Sequence, residues 1–122
     1  MDRELEKIKF KLDADDILYI ECLPNTIMTL VEAKESTRIG GEMVGDRPRP
    51  LLCDLTNVVK MNQECRRHFA GAEHARIFSR CALIVTSPVS RIIGNFFLGA
   101  NKPIKPTRVF TNREEGLKWL KG

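Results

Sequence analysis

The stretch CALIVTSPVSRIIGNFFLGANKP, residues 81–103, predicts a strand that leads directly into a helix. Residues 81–86 form a short apolar run, which is typical of a strand buried on both faces. Ser87 is a preferred helix-capping residue, and Pro88 occupies the first helical position, where proline is favoured. This strand-turn-helix unit indicates a parallel sheet covered by helices.

The predicted helix after Ser87 carries apolar residues at helical spacing. One stripe along the helix is formed by Val89, Ile92, Ile93 and Phe96. Phe97 widens this stripe. Gly99 or Asn101 ends the helix, and Pro103 prevents it from resuming. A cap, a core stripe and a stop explain most of the stretch. They leave Arg91 and Asn95 unexplained, four residues apart on one helical face.

The chain before this unit predicts a hairpin, a helix and another buried strand. Residues 7–12 alternate lysine with apolar side chains, and residues 17–23 form a second strand after the turn at 13–16. Thr29 and Glu32 form a capping box for a helix over residues 30–39, which Gly40 and Gly41 end. Residues 50–55 are a short apolar run, as expected of a flanked parallel strand.

The remaining segments continue the alternation of helix and strand. Asn62 is a plausible cap for a helix that Gly71 interrupts and residues 72–80 resume. Residues 107–110 predict a last strand. The closing helix is capped either by Thr111 with Glu114 or by Asn112 with Glu115. The order β-β-α-β-α-β-α-β-α predicts an α/β fold: a mixed, mainly parallel sheet with an N-terminal antiparallel hairpin and about four helices.

Length and composition predict one cytoplasmic domain over residues 1–122. No apolar run has the length of a membrane span, and the charged N-terminus lacks a secretion signal. The four cysteines and two histidines match no common metal spacing, so we expect free thiols and no metal or other cofactor.

Charge is unevenly distributed along the chain. Residues 1–60 carry a net charge of −3, whereas residues 61–122 carry +7 and hold no carboxylate between His74 and Arg113. This segment is either a solvated basic face or a surface that attracts an anion. We do not expect nucleic acid, because no aromatic side chains interleave the charges and no reading motif is present.

A ligand site is predicted at the helix start, since ligands collect at the carboxyl ends of parallel strands and helix starts attract anions. Its candidate ligand-binding residues are Ser87, Ser90, Arg91, Asn95 and Arg108. The alternative is that Arg91 tethers the helix to a carboxylate such as Asp54.

The element order resembles the STAS domain, the fold of bacterial anti-sigma-factor antagonists and of cytoplasmic domains of sulfate transporters. SPVSRIIGNFFLG (87–99) and FTNREEGLKWL (110–120) look closer still to uncharacterised bacterial SpoIIAA-like proteins. The likeness at this level covers residues 50–122. In the antagonists, an Asp-Leu-Ser strand end precedes an Asp-Ser-Ser-Gly helix start whose serine is phosphorylated. The chain departs from this pattern, because DLTNVVKMNQEC (54–65) places no hydroxyl at residues 62–65.

These features are compatible with three functions. The resemblance and the lack of a catalytic constellation favour a non-enzymatic regulatory module that binds a protein partner or itself. The basic segment favours a sensor of a small anionic or amphipathic ligand at Ser87–Arg91. A cysteine nucleophile with a histidine base, from Cys53 or Cys81 with His68 or His74, is the least favoured.

Overall fold

The computed structural model describes residues 1–122 and contains eight strands and five helices. The strands are β1 (Asp2–Leu5), β2 (Ile8–Leu12), β3 (Leu18–Cys22), β4 (Thr26–Met28), β5 (Arg49–Asp54), β6 (Val58–Met61), β7 (Phe78–Ile84) and β8 (Thr107–Phe110). The helices are α1 (Leu30–Val44), α2 (Gln63–Ala70), α3 (Ala72–Ala75), α4 (Pro88–Leu98) and α5 (Arg113–Lys121). None of these helices combines the length and the apolar character that crossing a membrane requires.

Six strands form the main sheet in the order β1-β2-β3-β5-β7-β8. β1, β2 and β3 pair antiparallel, and β3, β5, β7 and β8 pair parallel. The predicted α/β class, the parallel sheet and the N-terminal hairpin are thus confirmed. β4 and β6 form a separate two-stranded parallel ladder.

The sheet has a core on each face. The larger core has 22 buried residues, among them Phe10, Leu51 and Phe97, and packs beneath α1, α2 and α4. The smaller core joins Leu52, Ile84 and three other buried residues to α5. Alternation along the strands explains this division, because successive side chains point to opposite faces.

Three short strands were missing from the sequence prediction: β1, β4 and β6. β1 is DREL, too polar to show an apolar pattern, and β4 and β6 have only three and four residues. β6 lies between Asp54 and Asn62, in a segment for which the sequence predicted no helix or strand. Short strands of this kind are defined by their partners rather than by their own periodicity.

The prediction that Gly40 and Gly41 end the first helix was wrong. α1 continues to Val44, and the chain turns at Gly45, where φ is 65°. A Cβ built on Gly40 would lie 2.9 Å from Cδ1 of Ile77. Gly40 therefore provides room for close packing inside the helix rather than a C-terminal cap.

Two further boundaries differ from the prediction. The helix expected over residues 72–80 ends at Ala75, and β7 starts at Phe78, three residues before the predicted strand. Phe78 is 1 % exposed, so its burial between sheet and helices favours the strand. At the closing helix, Asn112 is the cap, and its side chain accepts a hydrogen bond from the Glu115 N–H.

Candidate functional site

A reciprocal pair of serines begins α4. The Ser90 N–H donates to Ser87 Oγ at 3.1 Å, and the Ser87 N–H donates to Ser90 Oγ at 3.0 Å. The Ser87 hydroxyl also donates to Ser90 Oγ, and the Ser90 hydroxyl donates to the Ser87 carbonyl. Ser90 is fully buried. Both predicted ligand-binding serines are therefore engaged in capping the helix.

The first turn of α4 has few uncommitted donors. Pro88 has no N–H, and the Arg91 N–H donates to the Ser87 carbonyl. With the Ser87 and Ser90 N–H groups already bonded to hydroxyls, only the Val89 N–H is left to meet a ligand. The helix start is thus weaker as an anion site than its position at the end of β7 indicated.

Arg91 and Asn95 lie on one exposed face of α4, as predicted. Arg91 forms no ion pair. The carboxylate of Asp54, its predicted tether, instead lies 3.3 Å from Arg113 Nη1, which also lies 3.3 Å from Glu21. The structure thus excludes the tether and leaves the Arg91 guanidinium in solvent.

Arg108 lies apart from the other predicted ligand-binding residues. Its guanidinium is 5.3 Å from the centre of the Phe110 ring and 5.7 Å from that of Trp119, both of which pack with the smaller core. Its neighbour Val109 points the other way and packs against Gly94 of α4. Arg108 is therefore on the α5 face of the sheet, whereas Ser87 to Asn95 belong to α4 on the opposite face.

The predicted apolar stripe of α4 divides into a buried and an exposed part. Ile93 and Phe97 are 5 % and 4 % exposed and join the larger core. Val89, Ile92 and Phe96 are 41 %, 60 % and 36 % exposed. The expectation that all of the stripe is core was wrong, because Gly94 and Ser90 share the buried face and rotate the stripe toward solvent.

The β4–β6 ladder borders the exposed part of this stripe. β6 packs against α4, and Val59 of β6 is 48 % exposed. The Arg66 guanidinium lies 4.0 Å from the centre of the Phe96 ring, within the range of a cation–π contact. We call the surface of Val59, Val89, Ile92 and Phe96 the α4 face. Sequence reasoning missed it because β6 was not predicted.

Cationic side chains occur on the elements that form the α4 face, and one of them, Arg66, contacts it directly. Lys60 follows Val59 on β6, Arg66 covers Phe96, and Arg91 precedes Ile92. Arg66 is held in place, since its Nη1 donates to the Met61 carbonyl at 2.7 Å and its Nε donates to Asn101 Oδ1 at 3.3 Å. α4 itself contains no carboxylate. We take Arg66, together with the exposed Lys60 and Arg91 of the same elements, as the cationic rim of this apolar face.

Residues 62–65, which the resemblance aligns with the antagonists' phosphorylated helix start, begin α2 and carry no hydroxyl. Asn62 caps α2 by accepting a hydrogen bond from the Cys65 N–H at 2.9 Å, and the intervening β6 separates it from Asp54. Just beyond the ends of β5 and β7, Thr86 Oγ1 donates to Thr56 Oγ1 at 2.8 Å.

The histidines meet at a threonine rather than at a cysteine. Thr37 Oγ1 lies 2.7 Å from His68 Nε2 and 3.0 Å from His74 Nδ1. Burial, and secondarily His68, lower the pKa of His74 to about 3. The His74 ring is therefore uncharged at neutral pH and takes part in this network as a hydrogen-bonding group of the core.

The cysteines are all free thiols. Burial raises the pKa of Cys22, Cys65 and Cys81 to about 12 and that of Cys53 well above its ordinary value. Thiols of this kind hold their protons and are poor nucleophiles. No group of three or more His, Cys, Asp or Glu side chains is arranged to hold a metal ion.

A small cavity of about 40 Å³ lies in the larger core, lined mostly by apolar side chains that include Cys22, Cys53 and Cys81. The buried Ser36 hydroxyl also lines it and has no hydrogen-bond partner. The space suits one or two water molecules, which would satisfy this hydroxyl.

Solved structures of three other proteins have the same fold. A protein of the DUF3478 family from Shewanella loihica PV-4, with a SpoIIAA-like fold, superposes with a TM-score of 0.63 at 17 % identity, covering 98 % of each chain. An anti-sigma factor antagonist from Mycobacterium paratuberculosis gives 0.67 at 16 % identity, over 94 % of this chain and 93 % of that one. The antagonist SpoIIAA in its unphosphorylated form gives 0.61 at 12 %, over 94 % and 98 %. The fold is therefore SpoIIAA-like, of the STAS class.

The chain belongs to the DUF7793 family, a domain of unknown function whose pattern matches residues 10–122. No protein of curated function matches it by sequence.

Proposed function

We propose that the chain is a non-enzymatic regulatory module that binds an acidic protein partner through the α4 face. The observation that carries this proposal is the exposure of Val89, Ile92 and Phe96 on one side of a helix whose other side is fully packed. Scattered apolar side chains on a surface need no explanation, but a contiguous patch with a polar rim is typical of an interaction site. The SpoIIAA-like fold supports the proposal, since two of the similar structures are anti-sigma factor antagonists.

The non-enzymatic part of the proposal rests on the chemistry of the titratable groups. The thiols are protonated at neutral pH, and the His74 ring is bonded to Thr37 rather than to a nucleophile. A nucleophile and its base must lie within hydrogen-bond reach of each other. These groups serve packing and not acid–base chemistry.

Charge complementarity favours another protein over a second copy of this chain. A two-fold dimer through the α4 face would place the same patch of each copy against its equivalent. Lys60, Arg66 and Arg91 would then meet the cations of the other copy, and like charges in contact oppose association. A partner whose acidic side chains surround an apolar centre would instead be complementary in charge to the cationic rim of the α4 face.

Binding of a small anion at Ser87–Arg91 is the second candidate function. The uncommitted Arg91 guanidinium supports it, with Asn95 four residues further along the same face of α4. The reciprocal serine cap opposes it, because Ser87 and Ser90 use their hydroxyls on each other. Arg108, on the other face of the sheet, has no part in such a site. We therefore assign Arg91 to the rim of the α4 face.

A photo-crosslinking amino acid at position 92, in cells that express the protein, tests the proposal. We expect a crosslink to one other protein, which is then purified and titrated against the chain. The control places the same amino acid at position 118, on α5 across the sheet. A crosslink between two copies of this chain at position 92, or equal products from both positions, would count against the proposal.

A further inference from the structure

The free edge of the main sheet at β8 borders a groove of about 460 Å³. The groove runs from the end of α4 past the edge strand to Trp119 of α5. Two of its apolar residues are well exposed: Leu98 at 53 % and Ile104 at 65 %. The groove therefore extends across the edge strand β8, from the side of the sheet covered by α4 to the side covered by α5.

The outer edge of β8, which starts at the groove-lining Thr107, has unpaired backbone groups. The Cys81 N–H donates to the Pro106 carbonyl, and the Val85 N–H donates to the Phe110 carbonyl. In a parallel ladder only alternate residues of an edge strand bond inward. The N–H and C=O groups of Thr107 and Val109 consequently point away from β7. Such an edge is a template for a further strand.

The charges of the groove have one sign. Lys102, Lys105 and Arg108 line it, and no aspartate or glutamate does. The Lys105 ammonium donates to the Phe78 carbonyl at 2.8 Å, whereas Lys102 and Arg108 form no ion pair. The Arg108 guanidinium is held near the rings of Phe110 and Trp119, which fixes its position at the edge.

We propose that this groove accepts an extended acidic segment of another protein, which pairs with β8 as an additional strand. The unpaired backbone of Thr107 and Val109 would bind the strand, Leu98 and Ile104 would contact its apolar side chains, and Lys102 and Arg108 would meet its carboxylates. The inference does not depend on the α4 face, which lies on a different part of the surface.

Fluorescence of Trp119, the single tryptophan of the chain, reports on the groove directly. The probe is a capped hexapeptide that alternates glutamate and valine, and its counterpart replaces glutamate with lysine. We expect saturable binding of the acidic peptide only, weakening as salt rises from about 0.05 to 0.5 M because the charges are exposed. Arg108→Glu should weaken binding at least about tenfold. Arg67→Glu, the same reversal at an exposed arginine of α2, should change it less than about twofold.

Strand pairing has a second signature that charge alone does not produce. Peptides methylated at the amides of one edge should lose binding, and those methylated at the other edge should retain it, because only one edge of an added strand faces β8. The amide resonances of Thr107 and Val109 should shift, and their hydrogen exchange should slow. Equal effects of both methylation patterns, shifts confined to α4, or association of the chain with itself through this edge would overturn the proposal.

Discussion

Two adjacent phenylalanines distinguish the buried from the exposed side of α4. Phe97 is 4 % exposed and belongs to the larger core, whereas Phe96 is 36 % exposed and contacts the Arg66 guanidinium. Sequence periodicity places both phenylalanines in one core stripe and predicts similar losses of stability, whereas the structure predicts a larger loss at Phe97 than at Phe96. Replacing each phenylalanine by alanine therefore tests the orientation of the helix on which the α4 face depends.

The magnitudes follow from burial. Truncating a core phenylalanine costs about 3–5 kcal/mol, which applies to Phe97→Ala. Phe96→Ala loses about two thirds of a burial energy of roughly 1.5–3 kcal/mol, and the cation–π contact adds about 0.5–1 kcal/mol. We expect a total of roughly 1.5–3 kcal/mol for Phe96→Ala. For a chain of 122 residues, 1 kcal/mol corresponds to about 4 °C in Tm.

Urea denaturation and thermal melting of both variants measure the difference. Phe97→Ala should melt roughly 12–20 °C below the wild type, and Phe96→Ala roughly 6–12 °C below it. The isoleucine pair provides a control with the same order: Ile93→Ala should destabilise more than Ile92→Ala, since their exposed fractions are 5 % and 60 %. Equal losses within either pair, or a larger loss at position 96 than at 97, would refute the orientation of α4.

Three further predictions concern the core and the helix ends. The pKa of His74 is about 3 in the folded protein and about 6.5 in the unfolded chain, so the free energy of unfolding should fall as pH drops from 6.5 toward 3, by up to about 1.4 kcal/mol per pH unit. Urea titrations of His74→Asn should show a shallower fall with pH than those of the wild type, and parallel curves would contradict this prediction. Asn112→Ala should cost about 1 kcal/mol by urea titration and Thr111→Ala much less, with the reverse order assigning the cap to Thr111. Gly94→Val should cost about 1–3 kcal/mol in the same assay, because a Cβ built on Gly94 would lie 3.2 Å from Cγ1 of Val85 and valine adds two further methyl groups. An unchanged stability would show that α4 can move away from Val85.

The fold was largely predictable because its signals are local. The alternating residues 7–12, the apolar run before Ser87 and the capping residues each specify an element by themselves. Gly40 shows where this logic fails, since the same residue type ends helices and permits close packing. Only the contact with Ile77 decides between these roles.

The candidate site was less predictable because it depends on contacts between distant segments. Helical spacing groups Ile92 with Ile93 and Phe96 but does not fix which flank of the stripe faces the sheet. That orientation is set by β6 and by the small residues Ser90 and Gly94. Likewise, Arg108 and Ser87 are both near strand ends in sequence, yet they lie on opposite faces of the sheet.

The central claim is that the α4 face binds an acidic protein partner, and the affinity of the crosslinked partner for Ile92→Glu tests it most directly. The substitution adds one negative charge to the face and should weaken binding at least about a hundredfold, a hot-spot effect, with little loss of fold stability. Lys118→Glu changes the net charge by two units on the other side of the sheet and should bind within about threefold of the wild type. If both variants bind the partner as tightly as the wild type, or if Lys118→Glu is the weaker of the two, the α4 face is not the interaction surface.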